Sequence, residues 1–269
     1  MQIPDKLLER LRKLGLNERI YQERARKCFL SKEDLSLEKV AWYPHAYYVS
    51  DTKDNFVFDP VSLVPCLALD VKKTDKILDM CAAPGTKTFI LSFLTENEAY
   101  IVANDIDRLR IKRLKANVNK FHLSVEVKNF SGRRLEGRFD RILLDAPCSG
   151  EGMVNKKEKT FEHWSERRVR DMAKKQKKLI NHAFSMLEPG GTLVYSTCTF
   201  SPEENELVVQ NLLDQTGAKL EKIEIPGLNF ARGLTEWKGK RLTTEDCIRI
   251  YPRHNGTGGF FVAKIRKPA

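Results

Sequence analysis

From about residue 60 onward, short apolar runs alternate with segments of helical periodicity. KILDMCA, YIVANDI, VEVKNF, FDRILLDAP and GTLVYSTC read as strands. VSLVPCLALDV, TKTFILSFL, DRLRIKRLKANVNKF, SERRVRDMAKKQKKLINHAFSML and SPEENELVVQNLLD read as helices between them. Strands that alternate with helices cannot bury both of their apolar faces except in a mostly parallel sheet with helices on either side. EPGG reads as the stop of the long basic helix, and Pro202 with the acids after it as the opening of the next. The tail then offers KLEKIEI, CIRIYP and GFFVAKIRK with no helices between them, which predicts an antiparallel addition at one sheet edge. The expected fold class is therefore α/β, doubly wound around one open sheet.

Residues 1–55 have a different character and are read as a small amino-terminal module, with residues 56–269 as the catalytic domain. KLLERLRKLGL and ERIYQERARKCFL read as two short amphipathic helices, serving as core caps or as an RNA-facing basic surface. AWYPHAYYVS reads as a strand and turn. Apolar residues make up 41% of the 269 and charged residues 31%, the composition of a globular chain rather than a disordered one. No run approaches the roughly 18 apolar residues of a membrane span. MQIPDKLLER has no apolar signal core, which predicts a cytoplasmic protein with no membrane partner. The net charge of +11 points to an anionic partner, nucleic acid first. The six cysteines form no CxxC pair, and no histidine stands at finger spacing from them. Free thiols are expected, with no metal site.

In sheets of this kind, ligands bind beyond the carboxyl ends of the strands, and four such ends carry unusual residues. DMCAAPGTKT (79–88) ends a strand in a tight turn at Pro84 and Gly85 and opens a helix. Small residues there let a ligand approach the backbone, and the helix amino end favours a carboxylate or phosphate; a nucleoside triphosphate loop is disfavoured because the GxxxxGKT spacing is absent. Asp105 in VANDID stands where nucleoside-binding folds place the acceptor for ribose hydroxyls, and is equally suited to cap the helix that follows. LLDAPCSGEG puts Asp145 and Cys148 at the mouth of an apolar strand. YSTCTFSPEEN puts Cys198 at the mouth of another, just before a helix, where a thiolate gains from the positive helix end.

Taken together, DMCAAPGTKT, DAPCSG and STCT resemble the Sun/Fmu (Nop/Sun) family of RNA cytosine-5 methyltransferases, which use S-adenosylmethionine. The resemblance covers roughly three quarters of the chain, from about FDPVSLVP to GGFFVAKIRK. It implies the class I methyltransferase fold, a seven-stranded sheet with one antiparallel strand. It also implies that Cys81, Ala82, Ala83, Pro84, Gly85, Thr86 and Lys87 line the methionine end of the cofactor. Asp105 would hold the ribose, supported by Arg110. Where the family carries Asp-Gly at the adenine, this chain has Ser131-Gly132, with Asn129 two residues earlier as a substitute. Asp145 and Pro147 would lie between cofactor and target base, with Cys198 as nucleophile and Cys148 assisting product release. Arg249, Pro252 and the Gly-Gly turn of RIYPRHNGTGGFF would shape the edge of the site.

The chemistry calls for such residues. C5 of cytosine is a poor nucleophile, and a thiolate adding at C6 makes it electron-rich enough to take a methyl group. An acid at the N3/N4 edge would stabilise the developing charge, Lys87 would support it electrostatically, and a second thiol would help remove the C5 proton. Chemistry alone leaves open which cysteine attacks, since DNA cytosine-5 methyltransferases use the Pro-Cys thiol, here Cys148; the resemblance favours Cys198. The target base must be unstacked to be reached. Trp164 and His163, in a segment read as flexible and basic (GEGMVNKKEKTFEHW), are the preferred RNA contacts, ahead of Trp42, Tyr47 and Tyr48. The expected substrate is a structured RNA, tRNA ahead of rRNA, and a monomer is expected. The competing readings are a class I methyltransferase acting on protein or a small molecule, and an RNA-binding scaffold with a degenerate cofactor pocket.

Overall fold

The computed structural model describes residues 3–22, 24–49, 55–154 and 157–269. The chain opens with α1 (Asp5–Lys13) and a three-stranded antiparallel sheet of β1 (Cys28–Leu30), β2 (Lys39–Val40) and β3 (Tyr43–Tyr48). The alternating part follows as α2 (Leu63–Leu69), β4 (Lys76–Asp79), α3 (Thr86–Leu94), β5 (Tyr100–Asn104), α4 (Arg108–Lys120), β6 (Val125–Lys128) and β7 (Phe139–Asp145). Then come α5 (Lys157–His163), α6 (Glu166–Ser185), β8 (Leu187–Thr197) and α7 (Glu206–Gln215). The tail holds β9 (Lys219–Glu221), β10 (Ala231–Arg232), β11 (Glu236–Trp237), β12 (Lys240–Arg241), β13 (Ile248–Ile250), α8 (Pro252–Asn255) and β14 (Phe260–Arg266). Among the described residues no helix is long and apolar enough to cross a membrane.

The main sheet runs β10-β13-β14-β8-β7-β4-β5-β6, with β9 also on β14. Strands β8, β7, β4, β5 and β6 are parallel. β14 pairs antiparallel with β8, and β9 and β13 pair antiparallel with β14. The sheet therefore has nine strands rather than the seven expected, because the tail adds short strands at the β14 edge instead of a single antiparallel strand.

Period-two alternation sorts the side chains between two cores. Ile77, Ile101, Leu143, Val194 and Val262 face the core under α2 and α3. Their neighbours Leu78, Val102, Leu144, Tyr195 and Phe261 face the core under α6 and α7. α4 packs Ile111, Leu114 and Val118 against Ala82, Ala83 and Ala103 in a smaller cluster. The chemistry-bearing residues thus collect on the loops at the carboxyl ends of β4, β5, β7 and β8.

One element differs from the sequence reading at the amino end and two differ further on. ERIYQERARKCFL is not a helix: only Glu18–Tyr21 forms a 3-10 turn. Cys28, Phe29 and Leu30 are buried one after another, a run that fits no helical stripe, and they pair with β3 instead. EPGG does not merely stop α6; it lies inside the first half of the long strand β8. Pro202 and the acids after it precede α7 in a turn of their own, which puts Glu203 and Glu204 outside that helix.

The amino-terminal residues share cores with the rest of the chain. Leu7, Leu11, Leu16, Ile20 and Tyr21 cluster with Phe161 and Trp164 beside the start of α6, and with Phe200 and Tyr251. Arg10 of α1 is nearly buried, and its guanidinium donates to Ser201 Oγ at 3.0 Å and pairs with Glu203 at 2.5 Å.

Candidate active site

A cleft of about 810 Å³ opens over the ends of β4, β5, β7 and β8. Its walls include Cys81, Asp105, Arg110, Ser131, Asp145, Pro147, Cys148 and Cys198. The remaining sequence-predicted residues stand behind them. Ala82 and Ala83 are buried, and Gly85 takes a left-handed conformation, φ 110°, just ahead of α3. A Cβ on Gly85 would sit 2.9 Å from Leu114 Cδ1, so glycine is required both for the turn and for the approach of α4. Pro84 accepts from Asn117 Nδ2 at 2.8 Å, and the Ala83 carbonyl accepts from the Arg110 guanidinium. Thr86 and Lys87 form the first turn of α3, whose leading N–H groups have no intrahelical acceptor.

Asp105 is almost fully buried. Its carboxylate accepts from the backbone N–H of Ala83 at 3.2 Å and of Asp107 at 2.9 Å, and Arg110 lies 3.3 Å away. The cap of α4 is Asp107, not Asp105: the Asp107 side chain accepts from Leu109 and Arg110 N–H. Asn129 does not line the cleft; its amide donates to the Asp105 carbonyl at 2.7 Å, so it holds the Asp105 loop in place.

The reactive end is built by β7 and β8. Cys148 Sγ and Cys198 Sγ lie 3.1 Å apart. Lys87 Nζ reaches Asp145 Oδ2 at 2.7 Å, and Ser196 Oγ donates to Asp145 Oδ1 at 2.9 Å. Lys87 lies over the Phe260 ring. Burial works against its charge, but Asp145 prevails and the Lys87 pKa is raised. The Cys148 thiol is pushed well up by its hydrogen bond to Cys198 and by burial.

The two cysteine loops are pinned to each other through backbone. Gly152 N–H donates to the Cys198 carbonyl at 2.9 Å, and Gly259 N–H donates to the Gly152 carbonyl at 2.8 Å. A Cβ on Gly152 would fall 2.3 Å from the Gly259 oxygen, so this crossing admits no side chain. Arg249 and the Gly-Gly turn do sit at this edge, Arg249 through its bond to the Phe200 carbonyl at 3.0 Å.

Several residues at the cleft go beyond the sequence reading. Ser196 precedes Cys198 by two and so points to the same side of the strand mouth, which was the available signal. Arg133, Arg168, Lys174, Lys175 and Lys178 line the cleft, four of them on α6, whose basic residues were noted only as a helix. Trp164, expected to contact RNA, is instead buried in the amino-terminal core, with its indole N–H on Glu151 Oε1 at 2.7 Å. Trp42 and Tyr47 are likewise buried. His163 is exposed and does line the cleft. The segment read as flexible includes residues 155 and 156, which lie outside the described residues, and continues as α5.

Asp79, at the end of β4, is fully buried, with Thr88 Oγ1 donating to one oxygen at 2.7 Å. Burial pushes its pKa up to about 7, against about 3.9 in an unfolded chain. Its contribution to stability is therefore complete below about pH 4 and is lost as pH rises through about 7. Asp79→Asn is expected to be more stable than the parent at about pH 8, by up to about 4 kcal/mol, and equal to it near pH 4. Thermal melts of both proteins across this range check it.

A parallel sheet with an antiparallel strand in the β14 position, a buried acid after β5 and a cleft at the switch point define the class I methyltransferase fold. The cleft fits S-adenosylmethionine: a buried carboxylate, Asp105, suited to hydroxyls, and apolar Met80 and Leu179 among the walls suited to a base. The family model described as 16S rRNA methyltransferase RsmB/F matches residues 66–266, and the chain belongs to that family. A tRNA (cytosine(49)-C(5))-methyltransferase of Pyrococcus abyssi is 46% identical over 213 residues, 77% of this chain and 68% of that protein. A ribosomal RNA small subunit methyltransferase F of Vibrio parahaemolyticus is 41% identical over 79% of this chain and 45% of its own length. The chain thus spans less than half of the bacterial relative. Among solved structures, NSun6 of Pyrococcus horikoshii with SFG, an S-adenosylmethionine analogue, matches with a TM-score of 0.69 at 32% identity, covering 88% of this chain and 57% of that one. A methyltransferase homolog protein from the same organism matches with a TM-score of 0.80 at 28% identity, over 98% of this chain and all of that one.

Proposed function

We propose that this chain methylates C5 of cytosine in RNA, using S-adenosylmethionine and a transient bond between Cys198 and the base. The observation that carries the reading is the thiol pair, 3.1 Å apart at the mouths of β7 and β8, beside the Lys87–Asp145 pair. A methyltransferase acting on protein or a small molecule needs the cofactor cleft but not two adjacent thiols.

The bound cofactor supplies an electrophilic sulfonium methyl group. Cys81 and the α3 amino end would hold its methionine part, Asp105 with Arg110 its ribose, and Ser131 the edge of its base. The Cys198 thiolate adds to C6, forming a C–S bond and moving electron density to C5. Asp145, held by Lys87 and Ser196, faces the N3/N4 edge, where charge develops. After C5 is methylated, Cys148, having released its own proton to solvent, takes the C5 proton as a thiolate; the C5–H electrons reform the ring double bond and the C6–S electrons leave on Cys198. This chemistry requires reduced thiols, which supports a cytoplasmic setting. It uses a lysine and a carboxylate rather than a metal ion.

Unpaired single-stranded RNA at the cleft meets Arg133 and the α6 cations Arg168, Lys175 and Lys178. Transfer RNA is the favoured substrate: it is compact, and the relative named for tRNA is matched over the larger share of its length. Methyl transfer to tRNA and to small-subunit rRNA transcripts, mapped by bisulfite sequencing, tests the reading; incorporation into neither, or at a position other than C5, overturns it. In the Lys175→Gln/Lys178→Gln double variant, the slope of log K against log salt should become shallower by about 0.7 per lost charge. RNA affinity at low salt should fall while cofactor affinity by calorimetry holds. An unchanged slope would place the RNA elsewhere.

A further inference from the structure

Behind the two thiols lies a buried carboxylate that the reaction above does not use. Glu204 is fully buried. Its Oε2 accepts from the Ser149 backbone N–H at 2.9 Å, and Ser149 directly follows Cys148. The same oxygen accepts from Gln176 Nε2 at 2.9 Å, and that amide nitrogen also donates to the Pro147 carbonyl at 2.8 Å. Ser149 Oγ and Thr199 Oγ1, 2.8 Å apart, then join the Cys148 loop to the Cys198 loop. Glu204 is therefore tied to the residues on both sides of Cys148 and, one step further, to the residue after Cys198.

The site is also unbalanced in a way that bears on charge. Glu204 Oε1 and Gln176 Oε1 are both buried with no hydrogen-bond partner. Two orphan acceptors in a dry site are costly, and a proton on Glu204 turns one of them into a donor. The groups facing it are Cys148, Tyr195 and the carboxylate of Glu151, with no cation among them. Glu151 is itself occupied by Trp164, Ser201 and the Phe200 N–H.

We propose that Glu204 is a positioning residue for the thiol pair, which in its neutral form holds the Cys148 loop in register with Cys198 and which on ionisation slows the release step at Cys148. The inference rests on the functional reading above. Burial and the neighbouring Glu151 push the Glu204 pKa up to about 7, against the lowering effect of Ser149 and Gln176. Its anion would stand beside Cys148 and make that thiol hold its proton more tightly, which is the wrong direction for a group that must take the C5 proton. The proton balance is simple: Glu204 gives its proton to solvent as pH rises and exchanges none with the substrate.

The test follows the decay of the covalent protein–RNA adduct in single turnovers against pH. In the parent, the decay rate should fall above an inflection near pH 7. Glu204→Ala, which removes the tie to Ser149, should lower the rate about thirtyfold or more at all pH values. Glu204→Gln, a permanent mimic of the neutral acid, should recover most of that loss and lack the inflection, decaying about tenfold faster than the parent at about pH 8.5. The same inflection in parent and Glu204→Gln, or equal damage from Ala and Gln, would overturn the proposal. Infrared difference spectra of carbon-13 glutamate-labelled protein provide a second reading that does not depend on turnover. A protonated-carboxyl band that titrates near neutrality and vanishes in Glu204→Gln supports the assignment; its absence from the parent overturns it. Failure of the parent to methylate any RNA would count against the functional reading, while the infrared band would still decide the state of Glu204.

Discussion

Cys148→Ser is expected to accumulate a denaturant-resistant protein–RNA complex, seen as a band shift, whereas Cys198→Ala is expected to form none. With Cys198 gone there is no C6 nucleophile, and methyl transfer should fall by at least about a thousandfold. With Cys148 replaced, addition and methylation still proceed, but the C5 proton has no thiolate to accept it and the adduct persists. The geometry makes the two variants directly comparable, because the sulfurs are 3.1 Å apart and reach the same space. The assignment of roles rests on the family resemblance, which places the nucleophile at Cys198; the geometry brings both sulfurs to the same place and does not choose between them. The reverse pattern, an adduct in Cys198→Ala and none in Cys148→Ser, would make the Pro-Cys thiol the nucleophile. Equal behaviour of the two variants would remove covalent catalysis from the account.

The largest expected effect on stability is at Arg249. Its guanidinium forms a two-pronged pair with Glu206, and both side chains are essentially fully buried. Removing one partner strands an uncompensated charge in a dry interior, which costs about 3–5 kcal/mol. Arg249→Met should therefore lower the melting temperature by about 10 °C. Adding Glu206→Gln should return part of the loss, because the stranded charge is then gone. The Arg249 bond to the Phe200 carbonyl ties this pair to the Cys198 loop, so activity should fall along with stability. A change of less than about 1 kcal/mol would mean that water reaches the pair.

The strands of the sheet were legible because each is an apolar run closed by a turn, and the site was legible because its residues stand at the ends of those runs. Asp145, Cys148 and Cys198 could be placed in one region from the α/β alternation alone. What the sequence hid depends on contacts between distant segments. Glu203 and Glu204 look like ordinary helix-opening acids. Only the fold brings Arg10 to the first and Ser149 to the second. Trp164 sits in a polar stretch, and its burial follows from α1 and Glu151, more than a hundred residues away in one case. Cys28–Leu30 reads as the end of an amphipathic helix, with Ile, Tyr and Leu on one face and Arg and Lys on the other; its partner strand, β3, lies farther along the chain. The edge strand β10 and the separate β11–β12 pair have no sequence signal, because two-residue pairings carry no periodicity.

The amino-terminal core around Phe161 and Trp164 has a practical consequence. Helix α5 shows Thr160 and His163 to the cleft and turns Phe161 toward the start of the chain, where Tyr21 meets it edge-on with ring centroids 4.8 Å apart. One wall of the reaction chamber is therefore braced by the first two dozen residues. An enzyme trimmed to begin at residue 56 would bare the hydrocarbon flank of that wall. Anyone seeking a minimal catalyst from this chain should expect aggregation, and should shorten it somewhere else.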